Sequence, residues 1–220
     1  MIITNFKKTK CDFGCDLFND NSDYLYWEER KVTTDEIEIT NYLKSEKNLY
    51  NSNILHIGTG TSFIAKNINC KSITGISISK NEINYANNLK INNYKSFFLN
   101  KLSKNAFSKF SNYSFDYIID VNLKSYSCCS KAFEKMFSEY SKLLTINGKI
   151  LSNKRGMKFS KVLKPVYSFS LRKFFFRRLK EFDGPSSNFL SLNDCNSLAK
   201  KNFLKFECLD NKNVISFVKY

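Results

Sequence analysis

The stretch Asn53–Ser62, NILHIGTGTS, followed by ITGISIS at Ile73–Ser79, restricts the fold more than any other part of the chain. Ile54, Leu55 and Ile57 form a short apolar run that stops at Gly58-Thr59-Gly60-Thr61. A helix-like segment from Ser62 to Ile68 comes next, and then a second β-rich run. Strand, glycine turn, helix, strand is the opening of a βαβ unit and predicts a parallel sheet. The glycines carry chemical weight. A turn without Cβ atoms lets backbone N–H groups approach a ligand at a helix start.

The remaining elements follow from pattern and punctuation. Thr33-Thr34-Asp35-Glu36 offers a capping box for a helix through about Lys44, with Ile37, Ile39 and Leu43 near one face. Ser79 or Asn81 caps a helix that turns Ile83, Ala86 and Leu89 inward. Lys95–Leu99 is the third strand, with Asn100, Lys101 and Leu102 at its C-terminal end, and Tyr117–Asp120 is the fourth. A helix then carries Ala132, Phe133, Met136, Phe137 and Tyr140 on one stripe, with Cys128 and Cys129 at its start as packing residues rather than nucleophiles. Asn147-Gly148 predicts a tight turn into a fifth strand, Lys149–Ser152. Ser191–Asp194 reads as a second capping box, on a helix carrying Leu198 and Ala199. Leu204–Tyr220 forms a hairpin with Asn211-Lys212-Asn213 at its turn.

In this order and spacing the chain resembles class I S-adenosylmethionine-dependent methyltransferases, whose first strand usually reads L-D-I-G-x-G-x-G. Ile73–Asn88 is similar to the second strand and following helix of that family, Phe115–Leu123 to its fourth strand, and Tyr140–Leu151 to the helix and turn leading into its fifth. Ser191–Phe203 and Leu204–Tyr220 resemble its last helix and terminal hairpin. The resemblance spans about three-quarters of the chain. It implies an α/β, Rossmann-like class I methyltransferase fold, a mostly parallel seven-stranded sheet with an antiparallel C-terminal edge strand. It also implies S-adenosylmethionine as cofactor, with S-adenosylhomocysteine as product and no metal.

The resemblance puts His56 and the backbone of Gly58, Thr59 and Gly60 at the methionine end of the cofactor. Ser77 and Ile78 fall beside ribose and adenine, Asn100 and Lys101 at the adenine, and Asp120 on the acceptor side as the candidate catalytic group. Three departures bear on affinity. His56 stands where the family usually has Asp, Ser77 where an acidic residue grips both ribose hydroxyls, and Asn100 about where an Asp reads the adenine amino group. A charged acceptor is roughly twice as strong as a neutral one. Its loss costs on the order of 1–2 kcal/mol, about tenfold in affinity. Nor is there an Asn-Pro-Pro-Tyr or Asp-Pro-Pro-Tyr element for a planar amino acceptor, or a Pro-Cys nucleophile motif. The glycine triplet and acidic pocket of aminopropyl-transfer enzymes are absent as well. A second reading therefore stands beside methyl transfer: a methyltransferase-like scaffold that binds nucleic acid or an anionic surface.

Charge is informative where it clusters. The net charge of +15 belongs to a chain crowded with Asn, Lys, Ile, Ser and Phe, the residues an AT-rich genome over-supplies. Arginine escapes that bias, and four of the five arginines, Arg155, Arg172, Arg177 and Arg178, fall in one region. From Lys149 to Lys180 there is no Asp or Glu, and Phe159, Tyr167, Phe169 and Phe174–Phe176 are interleaved with the basic residues. In this fold class insertions at that point build the acceptor site, so Arg155, Arg172 and Arg177 are candidate substrate contacts. A basic amphipathic helix here serves nucleic-acid phosphate, an anionic membrane surface or a small acidic substrate, or is a lid with a solvated face. Tyr26 and Trp27, in YWEER, match a segment that closes over cofactor or substrate in several methyltransferases. Their plain alternative is a surface helix packed on the sheet edge.

Length and composition set the outer bounds. The expectation is one domain: residues 1–50 as arm and helices, 51–153 as the cofactor-binding half, 154–190 as a basic aromatic insertion, and 191–220 as last helix and hairpin. No apolar run approaches 18 residues, and MIITNFKKTK lacks a signal-peptide core. With a single His and seven scattered cysteines a zinc site is disfavoured, and free thiols in a cytoplasmic protein are expected.

Overall fold

A computed structural model describes residues 31–124, 130–154, 190–209 and 213–220. Seven strands form one sheet in the order β3-β2-β1-β4-β5-β7-β6. They are β1 Asn53–Ile57, β2 Ser72–Ser77, β3 Tyr94–Phe98, β4 Phe115–Ile119, β5 Leu144–Asn153, β6 Leu204–Cys208 and β7 Val214–Lys219. β1 pairs in parallel with β2 and β4, β2 with β3, and β4 with β5. β7 runs antiparallel to both β5 and β6, so the C-terminal hairpin makes the antiparallel edge. This is the α/β sheet expected from the sequence. β1 sits between β2 and β4, where the strand order reverses, and ligands of open parallel sheets bind at the carboxyl ends there.

Helices cover both faces because the central strands are apolar on both sides. Helix α1, Thr34–Ser45, begins at the expected capping box, in which Thr33 and Glu36 satisfy each other's backbone N–H groups. Its Ile39 and Leu43 are buried, whereas Ile37 is 41% exposed and lies off the packed face. Helices α2, Phe63–Asn67, and α3, Lys80–Asn88, share that face, over Ile54, Ile73, Tyr117 and Ile119. On the other face lie α4, Ser130–Leu143, and α5, Leu192–Lys201. The five stripe residues of α4 are all buried, and Phe137 meets Phe217 edge-on at 5.0 Å between centroids. Ser191 and Asp194 close the second capping box, at the start of α5.

Two local expectations shift. Ile83 and Ala86 of α3 are buried, but Leu89 is only half-buried at the helix end. Asn147 takes the left-handed conformation (φ 63°) that turn chemistry demands, yet the strand continues through it. Pairing jumps from Phe115–Leu144 to Tyr117–Lys149, so the segment is a bulge inside β5 rather than a turn before it.

Candidate functional site

The glycine turn leaves β1 at the centre of the sheet. Gly58 (φ 73°) and Gly60 (φ 51°) occupy the left-handed region, which explains glycine at both positions. The Gly58 N–H returns to the Ile76 carbonyl of β2 at 2.8 Å, tying the turn to the neighbouring strand. Gly58 is exposed, and a Cβ built there meets nothing within 4 Å. Among the described residues the space beside Gly58 is therefore open. Behind it packing is tight. A Cβ on Gly75, the β2 partner of His56, would come 2.5 Å from Thr59 Cγ2 and 2.9 Å from the Tyr94 hydroxyl. Tyr94 in turn shares a hydrogen bond with Ser62 at 3.1 Å, and burial pushes its phenol up to about 12.

A carboxylate faces this turn from α3. Ser79 caps that helix and accepts from the Glu82 N–H, which fixes Glu82 in the first turn. The Glu82 side chain is buried at 6% exposure. Its Oε2 accepts from the Gly60 N–H at 3.0 Å and from the Thr59 hydroxyl at 3.3 Å. Ser77, at the end of β2, is also buried, and its Oγ accepts from the Ser79 N–H at 3.1 Å. Ile78 beside it is half-exposed. Glu82 thus brings a carboxylate to the glycine turn from the first turn of α3, five residues after Ser77. Glu82 went unnoticed in the sequence reading, although a signal existed: it is the one acidic residue between Asn48 and Phe115.

His56 of β1 is buried at 2% exposure, two residues after Ile54 and so on the face covered by α1. Its Nδ1 has no hydrogen-bond partner. Burial lowers its pKa to about 4, against the pull of the Glu36 and Asp120 carboxylates, so the ring is neutral at pH 7. Glu36, from the α1 cap, is a second carboxylate at this end that sequence reasoning did not place there.

Asn100 and Lys101 follow β3, and Asp120 follows β4. The Asn100 side-chain oxygen accepts from the Leu102 N–H at 2.9 Å, shaping the turn. Lys101 is buried, and its ammonium donates to Asp120 Oδ2 at 2.7 Å, the Asn122 carbonyl at 2.8 Å and the Leu123 carbonyl at 3.1 Å. Tyr140 of α4 donates to the same Asp120 oxygen at 3.0 Å. Burial lowers the Lys101 pKa, with Asp120 opposing, and raises that of Tyr140 well above its ordinary value. Asp120 is 1% exposed. Lys101 and Asp120 thus meet each other, and Tyr140 is the partner that sequence missed because it comes from a helix beginning after Asp120.

Tyr26, Trp27, Arg155, Arg172, Arg177, Cys128, Cys129 and most of the basic stretch 154–180 lie outside the described residues. Among the described residues Cys70 and Cys208 are free thiols, and no group of three or more His, Cys, Asp or Glu is placed to hold a metal. No described helix is long and apolar enough to cross a membrane. A hollow of about 160 Å³ lies between residues 101–108, which follow β3, and α4.

No protein-family model matches the sequence, and no curated protein matches it. Solved structures do match in shape. The magnesium protoporphyrin IX methyltransferase of Synechocystis PCC 6803, solved with bound S-adenosylhomocysteine, aligns over 84% of this chain and 82% of its own, with 12% identity and a TM-score of 0.57. The N-methyltransferase NodS of Bradyrhizobium japonicum WM9 aligns over 84% and 96%, with 16% identity and a TM-score of 0.54. The [4+2]-cyclase SpnF aligns over 77% of this chain and 57% of its own, with 11% identity and a TM-score of 0.50. At these identities the likeness is one of architecture, and the cyclase shows that the architecture does not dictate one reaction. Strand order, glycine turn and structural neighbours agree that this chain has the fold of the class I S-adenosylmethionine-dependent methyltransferases.

Proposed function

We propose that the protein binds S-adenosylmethionine at the Gly58–Gly60 turn and transfers its methyl group to an acceptor. The observation that carries this reading is the Glu82 carboxylate on the turn. A Rossmann-like turn that holds a dinucleotide offers its N–H groups to phosphate. Here the Gly60 N–H is given to a buried carboxylate, and a phosphate brought beside it meets like charge. A ligand with hydroxyl donors and a positive centre finds the opposite. The ribose diol has an acceptor in Glu82 with the Ser77 hydroxyl nearby, and Glu36 adds negative charge at the methionine end.

The sulfonium supplies an already activated methyl group, so the protein's task is alignment and exclusion of water. Gly58 leaves room for close approach of the ligand. Neutral His56 walls the site on the α1 side without adding a charge. Asp120, held by Lys101 and Tyr140, fixes the loop 120–123 that borders the acceptor side. This arrangement suits an acceptor that arrives already nucleophilic, and the basic residues Arg155, Arg172 and Arg177 favour an anionic one. Tyr26 and Trp27 are proposed to close over the bound substrate.

The scaffold reading rests on a different observation. Asp120, the one carboxylate directly after β4, has its Oδ2 engaged by two buried donors. Calorimetric titration with S-adenosylmethionine and S-adenosylhomocysteine separates the two readings. Low-micromolar binding that Gly58→Arg abolishes supports the enzyme, provided a melting curve shows the variant folded despite the left-handed backbone at that position (φ 73°). No binding at millimolar ligand overturns it and leaves a binding protein built on this fold.

A further inference from the structure

We infer that the β3 edge of the sheet is a docking surface for single-stranded nucleic acid. From Asn48 to Phe115, nearly a third of the chain, there are eight lysines and one carboxylate out of the chain's 20. That carboxylate, Glu82, is buried inside the glycine turn, and the Lys101 ammonium is buried against Asp120. The other seven lysines, at 66, 71, 80, 90, 95, 104 and 109, are all exposed. The surface built by α2, α3, β3 and the turn after it is therefore positive with no exposed carboxylate of its own. An AT-rich codon bias raises lysine throughout a chain, but it does not sort the carboxylates into the other two-thirds.

Aromatic rings lie within this field. β3 is the edge strand beyond β2, and Phe97 and Phe98 near its end are 38% and 43% exposed, on opposite faces of the strand so that they flank its free edge. The Lys109 ammonium stands 3.9 Å from the Phe97 ring centroid, and the Lys80 ammonium 5.8 Å from that of Phe98. Each ring thus has a cation within a nucleotide's reach, and Lys95 adds a third on the same strand. Stacking surfaces beside phosphate-binding charge are what sequence-tolerant binding of single strands requires, because every base has a π-face. Duplex DNA hides those faces, so the surface discriminates by strandedness. An acidic protein would use the charge without needing the rings.

The inference is independent of methyl transfer and is tested on the full chain by fluorescence anisotropy with a labelled 20-nucleotide oligo-dT or oligo-U. Binding is expected to weaken as salt rises, with a slope of about −0.7 per phosphate neutralised. The Phe97→Ala/Phe98→Ala variant leaves net charge unchanged and touches only exposed rings, and it is expected to lose at least tenfold in affinity. Lys80→Gln/Lys95→Gln/Lys109→Gln is expected to lower the salt slope by about 2. Lys200→Gln/Lys201→Gln on α5 removes charge elsewhere and is expected to change the slope by less than that. Circular dichroism confirms that each variant is folded. Wild-type-like binding by both the ring and the lysine variants would overturn the inference and move the contact to the stretch 154–180. So would equal affinity for duplex of the same length, or binding to phosphatidylserine vesicles in place of oligonucleotide.

Discussion

The Lys101 ammonium and the Asp120 carboxylate meet at 2.7 Å with both side chains buried. Each completes its hydrogen bonding locally, Lys101 on two loop carbonyls and Asp120 on the Tyr140 hydroxyl. A buried pair of this kind is costly to break by halves, because the survivor keeps its desolvation penalty. Lys101→Met is expected to destabilise the fold by about 3–5 kcal/mol in urea denaturation. Adding Asp120→Asn to that variant should restore part of the loss. A double variant no more stable than Lys101→Met would show that packing, and not charge pairing, holds the site.

Glu82 offers a cleaner separation of binding from stability. Glu82→Gln keeps an oxygen for the Gly60 N–H and removes the charge. Affinity for S-adenosylmethionine should fall about tenfold, corresponding to the weaker neutral acceptor, while thermal stability changes little. Calorimetry and a melting curve on the same sample check both halves. Unchanged affinity would remove Glu82 from the ribose site.

Gly75 is expected to tolerate no side chain. A methyl group there must displace Thr59 or the Tyr94 ring, and overpacking of this kind costs about 1–3 kcal/mol. Because Thr59 is part of the glycine turn, Gly75→Ala should also weaken cofactor binding. Gly75→Ala with Tyr94→Phe removes the closest oxygen and should recover part of the stability. Denaturant midpoints of the two variants make the comparison.

His56 gives the fold an acid-sensitive term of definite sign. In the unfolded chain it takes up a proton near 6.5, whereas burial delays this to about 4 in the fold. Its contribution is fully present above the unfolded value and is lost as pH falls between the two. The loss amounts to about 3 kcal/mol once both values are passed. A His56→Asn variant should lack that share of the slope between pH 6.5 and pH 4. Urea titrations of both proteins at several pH values measure it by difference, since the carboxylates titrate in each. Parallel pH profiles would place the acid sensitivity elsewhere.

What the sequence revealed was mostly what neighbouring residues decide among themselves. Thr33 with Glu36, and Ser191 with Asp194, are three residues apart, and both capping boxes form as their spacing demands. The apolar stripe of α4 and the parallel strand order were legible for the same reason: periodicity records which side faces the core. The site's chemistry was less so. Glu82 meets Gly60 only because α3 docks against the turn 22 residues earlier, and Lys101, Asp120 and Tyr140 converge from three elements. At Asn147 the local chemistry was read correctly, since the residue is left-handed, but pairing with β4 on both sides carries the strand across it.

The place of β7 between β5 and β6 has a consequence for the order in which this sheet forms. β6 precedes β7 in sequence but, among the described residues, pairs with no other strand, so it joins this sheet only through β7. The parallel core from β3 to β5 is able to assemble first, leaving the edge of β5 bare until β7 arrives with β6 in tow. During that interval β5 offers an open ladder to any strand, including one from another copy of the chain. The hairpin is therefore the protein's late seal against mispairing, and changes within it should be felt first as aggregation during folding.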